Sequence, residues 1–100
     1  MIIVISRDGV SLDDADNCNA FHLEARGVDR AAVGAALAAV DVGRVDGDDA
    51  YVEPAAVEQM AAAAGVGADW SDRYRAMLGY AASKGWLDDA GAIQAHIESR

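Results

Sequence analysis

The residues of this chain best suited to chemistry lie close together near its start. Cys18 and His22 stand four residues apart, and Asp16 lies two residues before the cysteine. A thiolate and an imidazole at that spacing are two of the donors a zinc ion uses, or a nucleophile and its activating base. Asp16 could add a carboxylate to either arrangement, so His22, Cys18 and Asp16 are the catalytic candidates of the sequence. Neither chemistry is complete. Zinc takes three or four ligands, yet the chain has one cysteine, and its other histidine, His96, is remote in sequence. On a strand, side chains four residues apart point the same way but are too far apart to touch. The expectation is a loop thiol and a solvent-facing histidine, with no metal and no cofactor.

The aspartates give similar results. Asp13, Asp14 and Asp16 with Asn17 resemble half of a calcium loop, but the glycine needed at its sixth position is missing. Asp46, Asp48 and Asp49 around Gly47 form too short a run for such a loop. Short polar side chains that compete for backbone hydrogen bonds favour turns, which accounts for both clusters. Asp88 and Asp89 could approach His96 as an acid–base pair if the last segment is a helix, or Asp88 could simply cap that helix. The chain has no phosphate-binding glycine loop, no Gly-x-Ser-x-Gly elbow and no Cys-x-x-Cys pair.

The element that must position these groups is a helix near the C-terminus. Residues 69–86 hold both tryptophans, Trp70 and Trp86, and two of the three tyrosines, Tyr74 and Tyr80. Trp70, Tyr74, Met77, Leu78 and Ala81 fall on one helical face. Asp69 or Ser71 can cap its start and Gly85 can end it. Each large ring buries roughly 150–250 Å², about 4–6 kcal/mol of gross apolar stabilisation before entropy is subtracted. Trp70, Tyr74 and Trp86 are therefore the core or interaction candidates.

Ahead of that helix, residues 2–5 read as a buried strand closed by the turn Arg7-Asp8-Gly9. Residues 11–19 read as a loop, and residues 19–25 alternate as a second, half-exposed strand pairing with the first. Asp29 caps a helix over residues 30–40, which Gly43 stops. Asp46-Gly47 turns a β-hairpin, with Val45 and either Tyr51 or Val52 facing the core. Pro54 opens a helix that runs to about residue 64, where Gly65 stops it. For residues 92–98 two periodicities compete. Ile93 and Ile97 suit a helix capped by Asp88, whereas Ile93, Ala95 and Ile97 suit a strand. The adjacent aspartates favour the helix, and Gly91 in its first turn weakens that reading. The expectation is one α+β domain over residues 1–100, with two β-hairpins and three to four helices in the order β-β-α-β-β-α-α-α.

Composition narrows the function. Asp and Glu number 17 against 8 Lys and Arg, a net charge of −9. Such a surface opposes DNA, RNA and anionic membranes, which need lysine and arginine. A lone cysteine suits a reducing cytosol, so a cytoplasmic protein is expected. Abundant alanine, with arginine favoured over lysine, fits a GC-rich bacterial genome. The hairpin between helices, over residues 29–64, resembles the wing of winged-helix DNA-binding domains. That resemblance implies a DNA-binding regulator, against which the few basic residues stand. The leading expectation is a non-catalytic protein-interaction or accessory module, acting through a protein partner or self-association on shallow alanine-rich helix faces. The alternative is a small enzyme or ligand-binding protein. Its pocket would lie against the Trp70 and Tyr74 helix, with Cys18, His22 and Asp16 at the mouth.

Overall fold

The computed structural model describes residues 1–99. Within them the elements run β1 (Ile2–Ser6), β2 (Gly9–Asp13), β3 (His22–Ala25), α1 (Arg30–Ala39), β4 (Gly43–Asp46), β5 (Asp49–Val52), α2 (Pro54–Ala63), α3 (Trp70–Ser83) and β6 (Ile93–Ser99). The architecture is α+β, a six-stranded sheet of order β2-β1-β3-β6-β5-β4 with three helices.

Two hairpins form the edges of the sheet. β1 and β2 pair antiparallel with Ser6 opposite Gly9, and β4 and β5 pair antiparallel with Asp46 opposite Asp49. Between them β1, β3 and β6 run parallel, and β6 runs antiparallel to β5. β6 divides its length between neighbours. Ile93 to His96 pair with β5, and Ile97 to Ser99 pair with β3. The sheet therefore exists as one piece because this strand spans both halves. It curls, since both of its edge strands, β2 and β4, reach the same helix, α1.

Alternation along the strands sends one set of side chains to the helices. Ile3, Ile5, Leu23, Val52 and Ile97 lie in one buried cluster with Val33 and Leu37 of α1, Val57 and Ala61 of α2, and Trp70 and Tyr74 of α3. The opposite face carries His22, Glu24, Tyr51, His96 and Glu98 by strand parity. Glu24 is only 2% exposed there, and its carboxylate accepts from Arg26 Nε at 3.0 Å and Arg26 Nη2 at 3.4 Å. A buried carboxylate needs such partners.

Local signals hold for the helices. Asp29 caps α1, accepting from the Ala32 N–H at 2.8 Å. Pro54 opens α2, and Gly65 ends it at φ 78°. α3 ends as expected at Gly85 (φ 75°), where Trp86 N–H donates to Ala81 O at 2.9 Å and Gly85 N–H to Ala82 O at 3.2 Å. Asp69 occupies the N-cap position of α3, where its carbonyl accepts from Arg73 N–H at 3.3 Å, but its side chain caps no helix N–H and lies instead 3.4 Å from Arg73 Nε.

Three readings need correction. Residues 9–13 are a strand, not part of a loop, because Val10 and Leu12 pack on the core while their polar neighbours face out. The first hairpin is thus β1–β2, and β3 lies parallel to β1. Gly43 does not stop α1. Asp41 does, at φ 55°, with Val42 N–H donating to Leu37 O at 2.9 Å. The last element is strand β6, not a helix: Gly91 has φ 88°, and Ile93, Ala95 and Ile97 are buried with period 2. The hairpin between α1 and α2 is part of the sheet, with β5 bonded to β6.

Candidate functional site

α3 offers two stripes. Trp70, Tyr74 and Ala81 point inward. Trp70 and Tyr74 stack with centroids 4.7 Å apart, and the Tyr74 hydroxyl donates to Pro54 O at 3.0 Å. Burial raises the Tyr74 pKa, and the nearby charge of Glu58 adds to it. These two candidates are core residues. The adjacent stripe, Arg73, Met77 and Tyr80, forms one wall of an open cleft of about 770 Å³.

The opposite wall is the loop between β2 and β3, through Asp16, Cys18 and Phe21, and Ile93 at the start of β6 closes the floor. The cleft exists because β3 begins at His22 and pairs with β6 only from Leu23 onward. The first half of β6 is flanked there by the segment after α3, where Gln94 N–H donates to Trp86 O at 2.7 Å and Leu87 bridges Ile93.

That same segment delivers Trp86. The left-handed turn at Gly85 directs the chain back, so the Trp86 ring meets Tyr80 edge-on, centroids 5.7 Å apart at 68°. Both rings line the cleft, and both stay open to solvent, Tyr80 at 57% and Trp86 at 44%. Lys84 places its ammonium 5.5 Å from the Tyr80 ring centroid.

The loop wall is held by its carbonyl groups. Trp70 Nε1 donates to Ala15 O at 2.6 Å, and Arg73 donates to Asp16 O. The Met1 nitrogen donates to Asn17 O at 2.6 Å and to Ala20 O at 2.7 Å. Burial lowers the pKa of that ammonium, partly offset by the charge of Asp14. Asp14 adopts φ 53° and accepts from Asn17 Nδ2 at 3.3 Å, so this aspartate cluster shapes a turn.

The catalytic candidates separate. Cys18 and Asp16 line the cleft, Asp16 lying 3.6 Å from Arg73 Nη2. His22 belongs to the outer face of the sheet, 3.5 Å from Glu98 Oε2. The expected mouth of Cys18, His22 and Asp16 therefore lacks its histidine, and the pocket uses the Met77 and Tyr80 stripe of α3 rather than Trp70 and Tyr74. Asp88 and His96 are not joined either. Asp88 accepts from Ala90 N–H at 2.9 Å, Ala92 N–H at 2.8 Å and Arg44 Nη2 at 3.0 Å. The Ala92 bond first, then that from Arg44, lowers its pKa. His96 lies 3.9 Å from Asp49. Among the described residues, no group of three or more His, Cys, Asp or Glu is placed to hold a metal ion, and no helix is long and apolar enough to cross a membrane.

Sequence reasoning missed Phe21, Met77 and Tyr80 as cleft residues. The available signal was that Tyr80 falls off the stripe that Trp70 and Tyr74 define. No protein-family model, curated protein or solved structure matches the chain.

Proposed function

We propose that this protein is a non-catalytic interaction module that docks an apolar side chain of a partner protein in the cleft under Trp86 and Tyr80. The observation that carries this reading is the exposure of two adjacent large rings over an apolar cleft. Tryptophan and tyrosine dominate the energetics of protein interfaces, and a partner's side chain would remove both rings from water. The polar groups of the cleft support docking more than catalysis. Asp16 lies 3.6 Å from Arg73 Nη2, and Cys18 lies away from His22, which is on the opposite face of the sheet. A heterologous partner is favoured over self-association, because each copy carries a net charge of −9. The lone cysteine supports a reducing, cytoplasmic setting. A small apolar ligand is the second reading, favoured by the cleft volume of about 770 Å³.

Selection of a phage-displayed random peptide library on the intact chain tests the docking reading. Clones enriched on the wild type should lose at least about thirty-fold in affinity on Trp86→Ala, the loss expected for an interface residue worth 2 kcal/mol. The variant should keep its fold, since the residue is 44% exposed and its backbone bond to Gln94 is retained, and circular dichroism checks this. Enriched clones that bind Trp86→Ala equally well would refute the reading.

A further inference from the structure

Resting on that docking reading, we infer that the docked segment is basic: a short stretch of a partner protein with one aromatic or aliphatic anchor flanked by lysine or arginine. The charge around the cleft carries this. The segments that build it, residues 14–21, 69–81 and 84–94, hold six aspartates against two arginines and one lysine, and one of the six, Asp88, is bonded to Arg44. Two of these three cations are committed, and Arg75 is exposed. Arg73 lies 3.6 Å from Asp16 Oδ1 and 3.4 Å from Asp69 Oδ2, and Lys84 stands against the Tyr80 ring. Asp16 and Asp69 remain open to solvent despite that contact, with side chains 76% and 77% exposed.

An apolar cleft with this rim selects by charge. The anchor supplies burial, and the flanking cations meet the aspartates, speeding encounter and excluding acidic competitors. A second copy of the chain would bring its own net −9 to the same rim. Nucleic acid is excluded for the same reason.

Three pools of amidated nonapeptides test this against the immobilised full chain. Each has three central positions randomised over apolar residues, with all flanking positions lysine, serine or glutamate. Bound peptides are counted by mass spectrometry on wild type, Trp86→Ala, Asp16→Asn and Asp69→Asn. The lysine pool should be retained at least about tenfold better than the serine pool, and the glutamate pool least. Each aspartate replacement should weaken the lysine pool roughly two- to fivefold and leave the serine pool unchanged. Raising salt should erase the difference between pools. Serine or glutamate pools retained as well as lysine, with retention still lost on Trp86→Ala, would overturn the basic partner and leave docking standing. Retention of no pool in a Trp86-dependent way would overturn docking and this inference together. A dimer in sedimentation that Trp86→Ala dissolves would assign the cleft to a second copy and also overturn it.

Discussion

Gly43→Ala and Gly79→Ala are the same chemical change with opposite expected signs. Gly43 opens β4 opposite Val52. A Cβ placed there would lie 2.2 Å from the Tyr51 carbonyl oxygen and 3.1 Å from both the Tyr51 carbonyl carbon and Val52 Cα. The obstruction is backbone, so no rotamer change relieves it, and β4 must lift away from β5. Overpacking of this kind costs about 1–3 kcal/mol, and a rigid obstacle puts the loss at the upper end. Gly79 lies inside α3 with nothing within 4 Å of such a Cβ. Alanine there gains about 1 kcal/mol of helix propensity. The two variants should therefore differ by about 4 kcal/mol, a large share of the roughly 5–15 kcal/mol that hold a domain together. The assay is urea unfolding followed by tryptophan fluorescence, to which buried Trp70 contributes. At a slope of about 1–3 kcal/mol per molar, Gly43→Ala should lower the midpoint by about 1 M or more. Gly79→Ala should raise it by roughly 0.3–1 M. An unchanged midpoint for Gly43→Ala would refute the close approach of β4 to β5 in this register. A loss for Gly79→Ala would show that the outer side of α3 is covered.

Two further outcomes follow from the titrating groups. Tyr74→Phe should cost about 1–2 kcal/mol in thermal melting, because the Pro54 carbonyl loses its donor. Burial holds the Tyr74 pKa above the ordinary 10.0, so above pH 10.0 the unfolded chain releases a proton that the native state keeps. Stability should fall as pH rises through that range, and Tyr74→Phe should flatten the fall measured by circular dichroism. Asp88 has the opposite sign: its folded pKa lies below 3.8, so its contribution is present above pH 3.8 and is lost as pH falls through the lower folded value. Acid unfolding of Asp88→Asn should therefore be less steep than that of wild type below pH 3.8, and equal slopes would exclude the role of Asp88 in the turn before β6.

The sequence by itself determined what depends on neighbours a few residues apart. Asp29 bonding to Ala32, Pro54 at the first turn of α2, Gly65 and Gly85 at helix ends, and the Asp46-Gly47 turn all act within one turn of chain. The stacking of Trp70 on Tyr74 is likewise one helical turn apart, so their place in the core was legible. Tertiary structure decided the rest. Residues 93–97 satisfy a helical and an extended periodicity alike, and they became a strand because β3 and β5 each offer backbone groups that only a strand between them can satisfy. Gly43 reads as a helix stop until Tyr51 is brought against it from across a hairpin. His22 and Cys18 are close in sequence, yet strand parity sends the histidine outward while the thiol stays in the loop beside α3. The cleft combines a loop near residue 18, a helix near residue 77 and a turn at residue 86. No local spacing encodes that meeting, because it depends on where a curled sheet stops pairing.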